Sequence, residues 1–206
     1  MTLKIFILFY QVLWIFLLPP ILLYLRMRGR KDDLYWKHLG ERFGHYSCDL
    51  PQSPIWIHAV SIGEFRSSTA LIHIALKRGH RVLVTTFTPA GRREAEQQFS
   101  AAVAERQLAV VWAPFDMGWC HRRLIKACQP RICLPLEVEI WPAMIITMRE
   151  ASVPLYLCNA QYARRSVARD SRGLRIRQKV IAQCAGAFVK SGAQKERFAA
   201  IGLPNI

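Results

Sequence analysis

From residue 5 to residue 25 the chain is almost wholly apolar, with Gln11 the one strongly polar side chain, and no other feature restricts its fold as much. A helix needs about 20 such residues to cross a bilayer, so this run reads as a membrane anchor. Lys4 alone precedes it, whereas Arg26, Arg28, Arg30 and Lys31 follow. Basic residues stay on the cytoplasmic side, which predicts that the remaining chain faces the cytoplasm. A cleaved signal peptide is the competing reading, but the run is too long and no small-residue cleavage site follows it. Pro19 and Pro20 remove two amide donors inside the run, which leaves open whether the helix spans the bilayer or lies in its interface.

Residues 26–54 mix basic groups with Tyr35, Trp36 and Phe43. Such a mixture suits headgroup depth, where rings meet the interface and cations meet phosphates; an ordinary juxtamembrane helix is the other reading. Pro51-Gln-Ser-Pro54 reads as a linker. The expected organisation is an anchor at 1–25, a basic juxtamembrane segment at 26–54 and one domain at 55–206.

Within that domain the hydrophobic pattern alternates between short apolar runs and helical stretches, the mark of βαβ units and a parallel sheet. Strands are expected at residues 55–60, 81–87, 108–113, 132–137, 153–158 and 185–190. Helices are expected at 65–78, 90–99, 118–128, 141–150, within 164–183 and at 193–200. The order predicts an α/β, doubly wound, Rossmann-like sheet. A chain of 206 residues accommodates one such domain plus an appendage. Ligands of these sheets bind outside the carboxyl ends of the strands, near the switch in strand order, which directs attention to residues 61–64, 85–91 and 137–141.

The net charge of +15 predicts attraction to polyanions, whether nucleic acid, anionic headgroups or phosphorylated ligands. The six cysteines form no C-x-x-C pair and read as reduced, structural thiols of a cytoplasmic compartment. The six histidines show no metal-ligand spacing, so no metal is expected. No Walker sequence, G-x-G-x-x-G, nucleophile elbow or nucleic-acid motif is present, which argues against nucleotide-binding, hydrolase and nucleic-acid-binding classes.

Glu64 stands where a helix begins after the first strand; the helix dipole favours its ionised form, as a general base requires. An acidic residue in a first helical turn is also a common stabilising device. Glu137 and Glu139 fall on one face if the fourth strand stays extended. Two carboxylates at that edge are costly unless paired or used. The Thr85-Thr-Phe-Thr-Pro-Ala-Gly91 loop suits helix capping as well as sugar or phosphate binding.

Taken together, Ile55-Trp-Ile-His-Ala-Val-Ser-Ile-Gly-Glu64, Gly79-His-Arg-Val-Leu-Val-Thr-Thr-Phe-Thr-Pro89, Ala113-Pro-Phe-Asp116, Leu136-Glu-Val-Glu-Ile-Trp-Pro142 and Asn159-Ala-Gln-Tyr-Ala-Arg-Arg-Ser166 resemble the Kdo transferase family. Gly40-Glu-Arg-Phe-Gly44 and the anchor continue the likeness over essentially the whole chain. The family transfers 3-deoxy-D-manno-octulosonic acid (Kdo) from CMP-Kdo to a lipid A precursor at the bacterial inner membrane. Its fold is a two-domain (GT-B) glycosyltransferase whose N-terminal domain takes the lipid acceptor and whose C-terminal domain takes CMP-Kdo.

The resemblance implies that Glu64 is the catalytic base and Glu137 the carboxylate that supports the transition state, with Ser61, Gly63 and Glu139 as their neighbours in the substrate site. It also gives the basic composition a purpose, with Arg66, Arg92, Arg93, Arg164 and Arg165 as candidates for acceptor phosphates; solvated surface is the other reading of each. No cofactor is implied. The expected partners are the lipid A precursor, an anionic membrane surface and CMP-Kdo, with no nucleic acid. Val138 and Gln161 stand where the family usually has Thr and Arg. The sequence ends about where the family would enter its second domain, so this chain alone is expected to be inactive, as a partial transferase or, alternatively, a non-catalytic binding module for a phosphorylated glycolipid.

Overall fold

A computed structural model describes residues 2–47, 49–137, 140–163 and 174–206. The apolar run forms one helix, α1 (Leu3–Gly29), capped by the Thr2 hydroxyl. It continues through Pro19 and Pro20 without a break. Its side chains divide into a stripe against the protein, including Phe6, Tyr10, Trp14, Leu18, Leu22 and Leu25, and an exposed apolar remainder. The stripe repeats at three- and four-residue intervals, as one face of a helix must.

Beyond α1 two short 3-10 turns, Asp33–Tyr35 and Leu39–Phe43, lead back over the domain. Their basic and acidic residues are not all solvated, since Glu41 and Arg42 are buried. Gly44 ends the second turn at φ 76°, and a Cβ there would lie 2.7 Å from the Arg123 Cβ and the Cys120 carbonyl. Glycine is therefore required for this close approach.

The domain alternates β1 (Ile55–His58), α2 (Ile62–Lys77), β2 (Val82–Thr86), α3 (Pro89–Gln98), α4 (Ser100–Ala104), β3 (Leu108–Trp112), α5 (Gly118–Cys128), β4 (Ile132–Pro135), α6 (Pro142–Glu150), β5 (Tyr156–Ala160), α7 (Ile176–Ile181), β6 (Gly186–Val189) and α8 (Gly192–Ala199). Four strands form a parallel sheet in the order β3-β2-β1-β4, and β5-β6 form a parallel pair. Parallel bridges Cys133↔Leu155 and Leu136↔Cys158 join the two sets. The chain thus winds outward from β1 through β2 and β3, then returns to β4, which places the switch between β1 and β4. The α/β class and parallel sheet expected from the sequence are those the chain adopts.

Helices cover both faces, and each face has a core: Trp56, Leu83, Met144 and Leu157 on one, Ile57, Phe65, Val84 and Val110 on the other. β2 is buried along its whole length, as a central parallel strand requires. The five described cysteines are buried and unpaired. Burial pushes the Cys120, Cys128 and Cys184 thiols up to about 12, so they pack as small hydrophobes.

The fourth strand departs from expectation. It stops at Pro135, and Glu137 adopts a left-handed backbone at φ 61° while its amide donates to the Cys158 carbonyl at 2.7 Å. An extended run to Glu137 would have kept period-two alternation; the left-handed residue ends it, so the face shared by Glu137 and Glu139 does not follow. Glu139 lies outside the described residues.

Candidate active site

The turn from β1 to α2 is built by reciprocal capping. Ser61 is the N-cap of α2, and its hydroxyl oxygen accepts from the Glu64 amide at 3.3 Å. In return Glu64 Oε1 accepts from the Ser61 hydroxyl at 2.9 Å and Oε2 from the Val60 amide at 2.7 Å. Glu64 is 9% exposed. An S-x-x-E sequence at a helix start is the signature of this box, and it was present at residues 61–64 to be read. The same bonds fix the carboxylate rotamer at the positive end of a 16-residue helix.

Gly63 lies between them. Among the described residues a Cβ at this position would meet nothing nearer than the Ser61 Oγ at 3.8 Å, an ordinary contact. Packing of the described residues therefore gives no reason for glycine beside Glu64. Gly91 differs, because a Cβ there would lie 2.6 Å from Thr86 Oγ1 and 3.5 Å from the Ile62 amide nitrogen. Gly91 brings the first turn of α3 against that of α2, so two helix N-termini converge at this edge. The Thr85–Gly91 loop serves as a cap: Thr88 Oγ1 accepts from the Gly91 amide at 3.2 Å and Pro89 opens α3.

On the other side of the switch, Glu137 is exposed at the end of β4, the strand paired with β1. The two carboxylates thus occupy the carboxyl ends of neighbouring strands. A left-handed non-glycine residue at such an edge is an unusual backbone state of the kind found at functional positions.

Beneath them is a buried polar layer. Thr85 Oγ1 accepts from Trp56 Nε1 at 2.8 Å and lies 2.8 Å from His58 Nδ1. Burial, reinforced by nearby His121, pushes His58 down to about 3, so its ring is neutral at physiological pH. His58 packs edge-on to Trp141, which also meets Phe87. Asp116, 1% exposed, accepts from the Ala143 and Met144 amides at 3.2 and 2.8 Å, capping α6, and lies 3.0 Å from His121 Nε2. Nothing local in the sequence marks Asp116 or His58 for a role, because their partners are brought to them by long-range packing.

The arginines divide sharply. Arg92 is buried and binds Glu41 at 2.7 Å and Glu96 at 2.8 Å, and Glu41 also accepts from the Trp112 amide at 2.7 Å. Arg42 is fully buried among Phe87, Trp112 and Phe115, its guanidinium 4.3 Å from the Trp112 ring centroid. Burial pushes it down to about 10, still charged at neutral pH. Arg66 pairs with Glu94 at 2.8 Å and Arg93 with Asp32 at 2.8 Å, both on the exposed surface. Arg164 and Arg165 lie outside the described residues. Among the described residues no cluster of three or more His, Cys, Asp or Glu could hold a metal ion.

Comparison with known proteins decides what this edge belongs to. The sequence profile of the family described as 3-deoxy-D-manno-octulosonic-acid transferase (kdotransferase) matches residues 37–206. The chain belongs to the Kdo transferase family. It is 36% identical over 155 residues to the 3-deoxy-D-manno-octulosonic acid transferase of Bordetella pertussis, covering 73% of this chain and 36% of that protein. Its identity to the Haemophilus influenzae Kdo transferase is 30% over 202 residues, 95% of this chain and 46% of the relative. A Kdo transferase from Aquifex aeolicus is 32% identical over 113 residues, 55% of this chain and 29% of that protein. The chain therefore spans less than half the length of these relatives.

Proposed function

We propose that this chain is the acceptor-binding half of a membrane-associated glycosyltransferase that moves Kdo from CMP-Kdo to a lipid A precursor. Glu64 removes the proton from an acceptor sugar hydroxyl, the freed oxygen attacks the anomeric carbon of Kdo, and CMP departs with the electron pair of the bond that breaks. Glu137, across the β1/β4 switch, supports the positive charge that develops at the sugar. Ser61 and Gly63 shape the approach to Glu64, and Glu139 belongs to the same substrate site. The donor is held by a second, C-terminal domain.

One observation carries this reading: a carboxylate rotationally fixed at a helix N-terminus, on the ligand-binding edge, beside a glycine whose Cβ would meet no close neighbour among the described residues. For acceptor phosphates Arg66, Arg93, Arg164 and Arg165 remain the proposed ligands, Arg66 and Arg93 through exchange of exposed ion pairs. Arg92, already enclosed by Glu41 and Glu96, would act through the position it gives α3. The capping box favours a second reading, in which Glu64 only stabilises α2 and the domain binds glycolipid without catalysis.

The test is Kdo transfer to a lipid A precursor by this chain alone and mixed with the C-terminal half of the Haemophilus influenzae relative. Activity in the mixture alone is the expected result. No activity despite glycolipid binding would favour the binding module, and neither binding nor activity would overturn both.

A further inference from the structure

We propose that α1 does not cross the bilayer: it lies in the plane of one leaflet of an anionic membrane, latched lengthwise to the domain, with both its ends on the domain's side. This rests on the membrane reading above and specifies its geometry. The first support is the extent of contact. Leu3 and Phe6 pack on the core at the start of the helix, Trp14 stacks toward Phe115 in the middle, and Leu25 is 3% exposed near its end. Its 27 residues span about 40 Å. Threading that length through a hydrocarbon layer of about 30 Å would drag the domain into lipid or strip the helix from it.

The second support is the polar latch inside the apolar run. Gln11 Oε1 accepts from the Gly118 amide at 2.9 Å, its Nε2 donates to the Asp116 carbonyl at 3.4 Å, and the Tyr10 hydroxyl donates to Asp116 Oδ2 at 2.8 Å. Peeling α1 away would leave these buried groups unpaired on one side and place Gln11 in hydrocarbon on the other. The third support is on the outer face. Pro19 and Pro20 are exposed and cannot donate to the carbonyls of Ile15 and Phe16. Water at the interface can satisfy those carbonyls; the bilayer centre cannot.

The outer face also selects the partner. Leu8, Phe9, Ile15, Phe16 and Leu23 are 60–73% exposed, an apolar strip with no place in water. Lys4 lies at one end, Arg26 and Arg30 at the other, all exposed. An apolar strip rimmed by cations fits the headgroup and acyl boundary of an anionic leaflet. Asp116 also caps α6, which follows the Glu137–Trp141 segment, so the latch fixes the candidate site relative to the lipid surface.

The test is side-specific labelling of the membrane-bound protein with a charged, membrane-impermeant maleimide, in spheroplasts and in everted vesicles, using Thr2→Cys and Lys4→Cys at the helix start and Lys77→Cys on the domain. The five described native thiols are buried, and the parent chain sets the background. The inference expects all three positions to be labelled equally in everted vesicles and none in spheroplasts. Labelling of Thr2→Cys and Lys4→Cys only in spheroplasts would overturn the in-plane geometry while leaving the membrane reading intact. Recovery of the protein free of membranes would overturn both.

Discussion

Glu41 and Glu64 are both acidic residues drawn out of solvent near the same edge of the sheet, yet the bonds described for them reach different parts of the chain. Glu41 is closed off: it binds the buried Arg92 guanidinium and the Trp112 amide, with Arg42 stacked on the same indole. Its charge is matched by a full cation, and removing Glu41 would leave the buried Arg92 with the more exposed Glu96 as its remaining carboxylate among the described residues. Glu64 is held by an amide, a hydroxyl and the N-terminus of α2, beside Gly63. Glu41 thus ties a distant turn to the sheet, whereas the bonds described for Glu64 run to its own helix start.

The largest effect on stability is expected for Glu41→Ala, about 3 kcal/mol from a buried arginine left with one half-exposed partner and a buried Trp112 amide left without its acceptor, read by urea unfolding. A loss below about 1 kcal/mol would place Glu41 among ordinary surface pairs. Acid should reveal the layer below Glu64. His58 titrates at about 3 in the fold and near 6.5 when unfolded, so the unfolded state binds more protons between those values and stability falls as pH drops through 6.5 toward 3. Between pH 7 and pH 5 that loss is about 2 kcal/mol, and it should be absent from the slope of a His58→Gln variant.

Ser61→Ala removes one half of the capping box and should cost about 1 kcal/mol by the same unfolding measurement. Gly63→Ala is the sharpest of the small effects. It should leave the fold unchanged or raise stability by about 0.5–1 kcal/mol, because alanine favours the helix and meets no clash. Glycolipid binding and Kdo transfer should nevertheless fall. Unaltered transfer by Gly63→Ala would mean that the open space beside Glu64 has no use.

Much of this arrangement could be read along the chain because its signals are local. Alternating apolar runs locate the six described strands, Pro89 and Pro142 mark helix starts, and Glu64 stands at the head of α2. What could not be read depends on residues far apart. Nothing near Gln11 in sequence points to Gly118, and nothing near Arg92 points to Glu41, 51 positions away. Arg92 accordingly read as a phosphate ligand, like Arg66 and Arg93, when charge and position were the only guides. Glu137 shows a different limit: a strand pattern extends naturally to it, but one left-handed residue ends the strand and turns its side chain from the expected register.

In the proposed reaction Glu64 takes the acceptor proton, beyond capping α2. Its most direct test is Glu64→Gln, which keeps a side-chain oxygen for the box but is no base, compared with Ser61→Ala, which weakens the box and keeps the base. With the C-terminal half supplied, Kdo transfer should fall by about 10²–10⁴ in Glu64→Gln while its unfolding midpoint shifts no more than that of Ser61→Ala. Equal transfer by the two variants, or a loss in Glu64→Gln matched by a collapse of its fold, would contradict the account and leave Glu64 as a helix cap alone.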